Sequence, residues 1–159
     1  MTPDALARLH ARAMHVPAPW RLADFEELLT TKGTFLVQSL VDKYPGERPS
    51  HSATTQSAQD LAGFALGRVI LDEAELLTLA VDPNHRRKGK GQHCLRLFES
   101  EATSLGARTA YLEVAETNAA AMALYHAGGW SQSGRRIAYY RTADAPIDAI
   151  LMAKTLVAD

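Results

Sequence analysis

The sequence predicts an α+β fold, a mixed central sheet flanked by helices with an anion-binding loop before the central helix, and three observations predict it. Apolar residues recur at helical spacing in two N-terminal segments, then at strand-like spacing, with two further helical segments set between the later strands. The strand-like runs at 76–81 and 109–114 are joined through one helix over 92–105, which is the length of a parallel crossover. That crossover opens on RRKGKG, a basic loop whose Gly-x-Gly ends at the helix start.

Asp4 can cap a first helix with Ala5, Leu6, Leu9 and Ala13 on one face, and the prolines of the segment His15 to Pro19 break it just before Trp20. In RLADFEELLT, Leu22, Phe25, Leu28 and Leu29 share a face, so a second amphipathic helix ends near Gly33. Thr34 to Val41 reads as a strand. Tyr44 to Asp60 has almost nothing apolar to bury and reads as an exposed loop, a functional flap or a tolerated insertion. Leu61 to Leu71 and Glu75 to Val81 are two strands around the hairpin-length connection Asp72-Glu73-Ala74, and Gly63 and Gly67 mark a bulge or a close backbone approach.

After the basic loop, Cys94, Leu95, Phe98, Ala102 and Leu105 line one helix face, with Gly106 as the cap. Thr109 to Ala115 is again a strand. Thr117-Asn118 caps a short Ala-rich helix ending at Gly128-Gly129, and strands near Gly134 to Tyr140 and Ile147 to Leu156 follow.

A chain of 159 residues is read as one domain over 1–159, able to bury a core without metals or disulfides. Its formal charge of -1 excludes the global positive field of a general nucleic-acid binder, so no direct nucleic-acid binding is expected. A single cysteine excludes an intramolecular disulfide, no apolar run reaches the length of a membrane span, and the N-terminus has no secretory apolar core. A cytoplasmic protein that does not engage membranes is expected. No His/Cys cluster has metal-ligand spacing.

The loop is a phosphate cradle by construction, since helix-start amides and the helix dipole both favour an anion. It is neither a Walker A loop, which needs GxxxxGK followed by Ser or Thr, nor a dinucleotide fingerprint, because Cys94 stands where the third small residue belongs. Arg86-x-x-Gly89-x-Gly91 behind LAVDP resembles the (R/Q)xxGxG signature of the GCN5-related N-acetyltransferase (GNAT) superfamily, whose loop amides hold the pyrophosphate of coenzyme A.

Glu113 interrupts an otherwise apolar strand, where a carboxylate is either partly desolvated and suited to act as a base, or a strand-end residue that faces water. Asn118 stands where a helix cap is the ordinary role, and Tyr125 alone would be packing. Together, LEVAETNAAAMALYHAGGW closely resembles the segment LEVxxxNxxAxxLYxxxGF of the bacterial ribosomal-protein-alanine N-acetyltransferases of that superfamily. The resemblance extends to VILDEAELLTLAVDP, to the stretch from Gly134 to Tyr140, to DAIL and, more loosely, to HVPAPW.

What the resemblance implies is a GNAT fold and acetyl transfer from acetyl-CoA to a protein α-amino group, the N-terminal alanine of a small-subunit ribosomal protein. By it Glu113 matches the general base and Tyr125 the general acid. Asn118 matches a polar cofactor contact, and Leu79, Ala80 and Val81 match the strand that pairs with the pantetheine arm. Arg86, Arg87, Lys88, Gly89, Lys90, Gly91 and Gln92 match the pyrophosphate loop, and no metal is required. Trp20, Glu73, Tyr139 and Tyr140 are candidates for the acceptor site, with core packing the rival role for Trp20. Trp130 replaces the family's usual Phe, Ala138 stands where Asn is frequent, and the loop after Tyr44 is longer. Rival readings are a lysine, polyamine or small-amine acceptor, a non-catalytic acyl-CoA-binding module, and an acyl intermediate on Cys94, against which its core-facing position argues.

Overall fold

Residues 1–41 and 61–156 are described by the structure, a computed structural model. Along the chain come α1 (Pro3–Ala13), α2 (Leu22–Thr30), β1 (Thr34–Leu40), β2 (Leu61–Ile70), β3 (Glu73–Val81), α3 (Lys90–Ser104), β4 (Thr109–Ala115), α4 (Ala119–Ala127), β5 (Ser131–Tyr140) and β6 (Ile147–Thr155). A 3-10 turn, Pro83–His85, precedes α3. The loop expected at Tyr44 to Asp60 lies outside the described residues.

Six strands form one mixed sheet in the order β1-β2-β3-β4-β6-β5, with β3 and β4 parallel across α3 and the other neighbours antiparallel. The predicted crossover is therefore present. One face carries α3 and α4 over Ala65, Leu76, Leu112, Val114 and Ile150, while α1 and α2 pack Leu6, Leu9 and Phe25 on Phe64 and Ala80 of the other. Because α1 and α2 cover only the β1 to β3 side of that second face, Glu73, Glu75, Tyr111 and Glu113 are left exposed on it.

Two local expectations are corrected. Thr2, not Asp4, caps α1: its hydroxyl accepts from the Ala5 N–H at 3.4 Å and Pro3 presets the first turn, which leaves Asp4 inside the helix to pair with Arg8. Glu73 and Ala74 are strand residues, since β3 pairs with β2 as far as Ile70–Glu73, so the turn contracts to Leu71 and Asp72. Leu71 takes φ 56 to make it.

Gly63 and Gly67 do mark close approaches, and each lies beside an irregularity: Ala62 of β2 is left without a partner on β1, and Leu77 of β3 without one on β2. A Cβ on Gly67 would lie 2.5 Å from both Phe35 and Phe98, whose rings stack 5.5 Å apart above it. Gly67→Ala must part that pair, so it is expected to cost about 1–3 kcal/mol of stability, read as a lower urea midpoint with an unchanged slope.

Candidate active site

The site begins where two strands stop pairing. β3 and β4 are bonded from Glu73–Thr109 to Leu76–Leu112 and no further. At that point β3 carries its bulge, because the β2 register passes from Gly67–Leu76 to Leu66–Thr78 and leaves Leu77 without a partner. The bulge also exchanges the faces of β3: Ala74 and Leu76 point to α3, whereas Thr78 and Ala80 point to α1 and α2.

Main-chain groups follow the same alternation. The Asp82 N–H bonds the Ala62 carbonyl at 2.9 Å, and counting back by twos directs Ala80 and Thr78 to β2. The N–H and C=O groups of Leu79 and Val81 therefore face the gap opened toward β4.

In this gap lies a cleft of about 430 Å³ lined by Trp20, Leu79, Glu113, Asn118, Tyr125, Tyr139 and Tyr140 among others. Seven of the predicted site residues meet there. Glu73 lies instead in an adjoining hollow of about 380 Å³ on the same sheet face, which shares Glu75 and Glu113 with the cleft. Ala80 is buried against α1 and α2, away from the gap, and the loop 86–92 sits at the far end of β3.

Of the two settings open to Glu113, the structure shows the water-facing one. Its side chain is 30% exposed, and Oε1 accepts from Arg136 Nε at 2.8 Å. The Arg136 guanidinium lies 5.6 Å from the Tyr139 ring, which meets Tyr140 edge-on, so the carboxylate is tied to the aromatic end of β5. Burial, with the Glu113 and Tyr139 charges behind it, pushes the Tyr140 phenol up to about 12. Tyr125 is 7% exposed on α4, and burial followed by the Tyr140 charge raises it above the ordinary phenol value. It is a neutral hydrogen-bond donor at any physiological pH.

Asn118 is the N-cap of α4, its Oδ1 accepting from the Ala121 N–H at 3.1 Å, which leaves the amide nitrogen for another partner. Ala138, where the resemblance led Asn to be expected, has φ 53, and its N–H donates to Asp148 Oδ1 at 2.8 Å. Asn and Gly enter that left-handed region more readily than Ala.

The loop supplies amides more than side chains. Gly89 is the N-cap of α3 with φ 72 and no side-chain cap, so the first helical N–H groups have no partner within the helix. Gly91 lets this turn approach Val81 and Leu124, within 3.7 Å of an added Cβ. Arg86 donates to the Ala13 carbonyl at 2.9 Å, and Lys90 to the Leu40 carbonyl at 2.8 Å, so both side chains fasten the loop to its surroundings. Asp82 caps the 3-10 turn and pairs with Arg12 at 2.5 Å, tying the loop to α1.

Cys94 is fully buried, and burial pushes its thiol up to about 12. Such a thiol stays protonated near neutrality, which removes the acyl-cysteine route.

Sequence reasoning missed His10 and Thr78. His10 follows Leu6 by one helical turn and so shares its buried face, which was the available signal. Burial pushes the His10 imidazole down to about 4 from its ordinary 6.5. Between those values an unfolded chain takes up a proton that the native state refuses, so stability is highest above pH 6.5 and falls as the pH drops toward 4. From pH 7 to pH 5 the loss is expected to be about 2 kcal/mol greater than in His10→Gln, by urea unfolding at both pH values.

A profile of the acetyltransferase (GNAT) family matches residues 17–130. The chain belongs to that family. As a GNAT acetyltransferase it is 43% identical over 108 residues to the [ribosomal protein bS18]-alanine N-acetyltransferase of Escherichia coli K12, an alignment spanning 68% of this chain and 72% of that one. It is 36% identical over 100 residues to the N-alpha-acetyltransferase RimI of Mycobacterium tuberculosis, over 60% of this chain and 61% of the relative. The crystal structure of the E. coli ribosomal-protein-S18-alanine N-acetyltransferase superposes with a TM-score of 0.77 at 32% identity, over 99% of this chain and 89% of that chain. Arabidopsis thaliana NAA60 in complex with acetyl-CoA shares the fold, with a TM-score of 0.77 at 16% identity over 97% of this chain and 93% of that chain. Among the described residues no helix is long and apolar enough to cross a membrane.

Proposed function

We propose that this acetyltransferase moves the acetyl group of acetyl-CoA to a protein α-amino group, the N-terminal alanine of a small-subunit ribosomal protein. The observation that carries the reading is the convergence of Glu113, Tyr125, Tyr139 and Tyr140 on one cleft where β3 and β4 part, with the uncapped start of α3 beyond Val81. The relatives named for ribosomal-protein alanine support the acceptor. A ribosomal acceptor also puts the reaction in the cytoplasm.

Acetyl-CoA supplies a thioester carbonyl open to attack by an amine. The amides of Gly89, Lys90, Gly91 and Gln92 fit its pyrophosphate, with Arg87 and Lys88 adding charge at the exposed side of the loop. The outward main-chain groups of Leu79 and Val81 fit the amides of the pantetheine arm, and the Asn118 amide nitrogen offers a further contact.

Glu113, directly or through one water, takes the proton that the attacking nitrogen gives up. An α-amino group, with a pKa of about 8, reaches the neutral form far more easily than a lysine at about 10.4. Tyr125 donates a hydrogen bond to the departing thiolate. The main-chain N–H of Val81 or Leu79 faces the carbonyl oxygen as negative charge develops on it.

The test offers purified protein acetyl-CoA and two peptide sets, one starting with free Ala, the other N-blocked with a free lysine. Mass spectrometry is expected to find acetyl on the alanine nitrogen alone. Transfer only to lysine would overturn the α-amine reading, and acetyl-CoA binding without any transfer would favour a non-catalytic binding module.

A further inference from the structure

His10 is 1% exposed and uses both ring nitrogens. The Trp20 main-chain N–H bonds Nδ1 at 3.0 Å, and because an amide only donates, Nδ1 is the lone-pair nitrogen and the hydrogen is on Nε2. Nε2 therefore donates to Thr78 Oγ1 at 2.9 Å. The ring is clamped as well as bonded, stacked on Trp20 at 5.2 Å and met edge-on by Phe25 at 5.5 Å.

A hydroxyl that accepts from a fixed donor still has one hydrogen to place. Among the described residues nothing accepts it, and Thr78 lines the cleft. Thr78 is the first residue after the Leu77 bulge, where the sheet opens, and its side chain lies on the same sheet face as Glu75 and Glu113. The imidazole thus orients a lone O–H donor on the face where the carboxylate waits, opposite the α3 side.

We propose that His10 is a positioning residue that turns the Thr78 hydroxyl into the cleft, where it donates to the first peptide carbonyl of the acceptor. This rests on the α-amine reading given above. The bond holds the acceptor at the carbonyl of its own first residue, two bonds from the reacting nitrogen, and it selects acceptors that have a carbonyl there over simple amines. His10 does not touch substrate; it acts through Thr78.

Acetyl transfer is measured for wild type, Thr78→Val and Thr78→Ser with two acceptors, an Ala-initiated peptide and an alkylamine of similar shape that lacks the carbonyl. Thr78→Val is expected to lower kcat/KM about tenfold for the peptide, mainly through KM, and to leave the alkylamine rate within twofold. Thr78→Ser keeps the hydroxyl and is expected to restore peptide activity. Equal losses on both acceptors, or no loss on either, would overturn the carbonyl contact while the α-amine reading stands. If wild type acetylates the alkylamine and no peptide, the α-amine reading itself fails and the contact with it. Since Thr78→Val also strips the His10 Nε2–H of its acceptor, thermal unfolding is run in parallel. A lower melting temperature with unchanged peptide selectivity counts against the proposal.

Discussion

Glu113→Gln is expected to lower kcat/KM for peptide acetylation by roughly 10²–10⁴-fold while acetyl-CoA affinity stays as it was. The size follows from the proposed role: an amide of the same shape cannot take the proton that the nitrogen loses on forming its new bond. Cofactor affinity is expected to hold because the uncapped amides at the start of α3 lie beyond the C-terminal end of β3, whereas Glu113 lines the cleft beside Leu79. Two carboxylates line the cleft, so the variant must be weighed against the other. Glu75 is bonded to Arg68 at 2.8 Å and Glu113 to Arg136 at the same length, yet only Glu113 lies on β4 beside the tyrosines of β5. Glu75→Gln is therefore expected to cost less than tenfold. Releasing Arg136 is a second consequence of losing Glu113, and Arg136→Gln isolates it. If Arg136→Gln matches the loss in Glu113→Gln, the effect belongs to the aromatic end of β5 and the base assignment is wrong.

What was legible in the sequence is what local periodicity and local chemistry determine. The face of α3 that holds Cys94, Leu95 and Phe98, the crossover to β4, and the Gly89 to Gly91 turn are all set by residues close together in the chain. The bulge at Leu77 was not legible. It is fixed by the register with β2, and in a run as apolar as 76–81 a one-residue slip leaves no mark in the hydrophobic pattern. Missing the bulge hid which face Thr78 takes, and with it the partner of His10 on a helix 68 residues away in sequence. The Glu113 environment stayed open between two settings for a related reason. Its flanking residues Leu112 and Val114 are buried on the opposite sheet face, while its own neighbour is Arg136, 23 residues on. Sequence spacing placed Glu113 on β4 and could not say what faced it.

Tyr125→Phe is expected to reduce kcat by about 10–100-fold with little change in either KM. Burial, and then the charge of Tyr140, hold the Tyr125 phenol above its ordinary value, whereas a departing thiolate has a conjugate acid near about 8.5. Full proton transfer from such a phenol to such a thiolate runs uphill. In the proposed reaction Tyr125 therefore supplies a hydrogen bond that becomes charge-assisted only as the sulfur gains charge, and a bond made only in the transition state appears in kcat. Losing a charge-assisted bond costs about 1.5–3 kcal/mol, which is the factor stated. Phe keeps the ring that packs 6.2 Å from Trp130, so the fold is expected to be intact by circular dichroism. A thioester whose leaving thiol is more acidic depends less on the donor, and with it the gap between Tyr125→Phe and wild type is expected to narrow. If the gap stays constant across leaving groups while KM rises, Tyr125 packs the cleft and another group meets the sulfur.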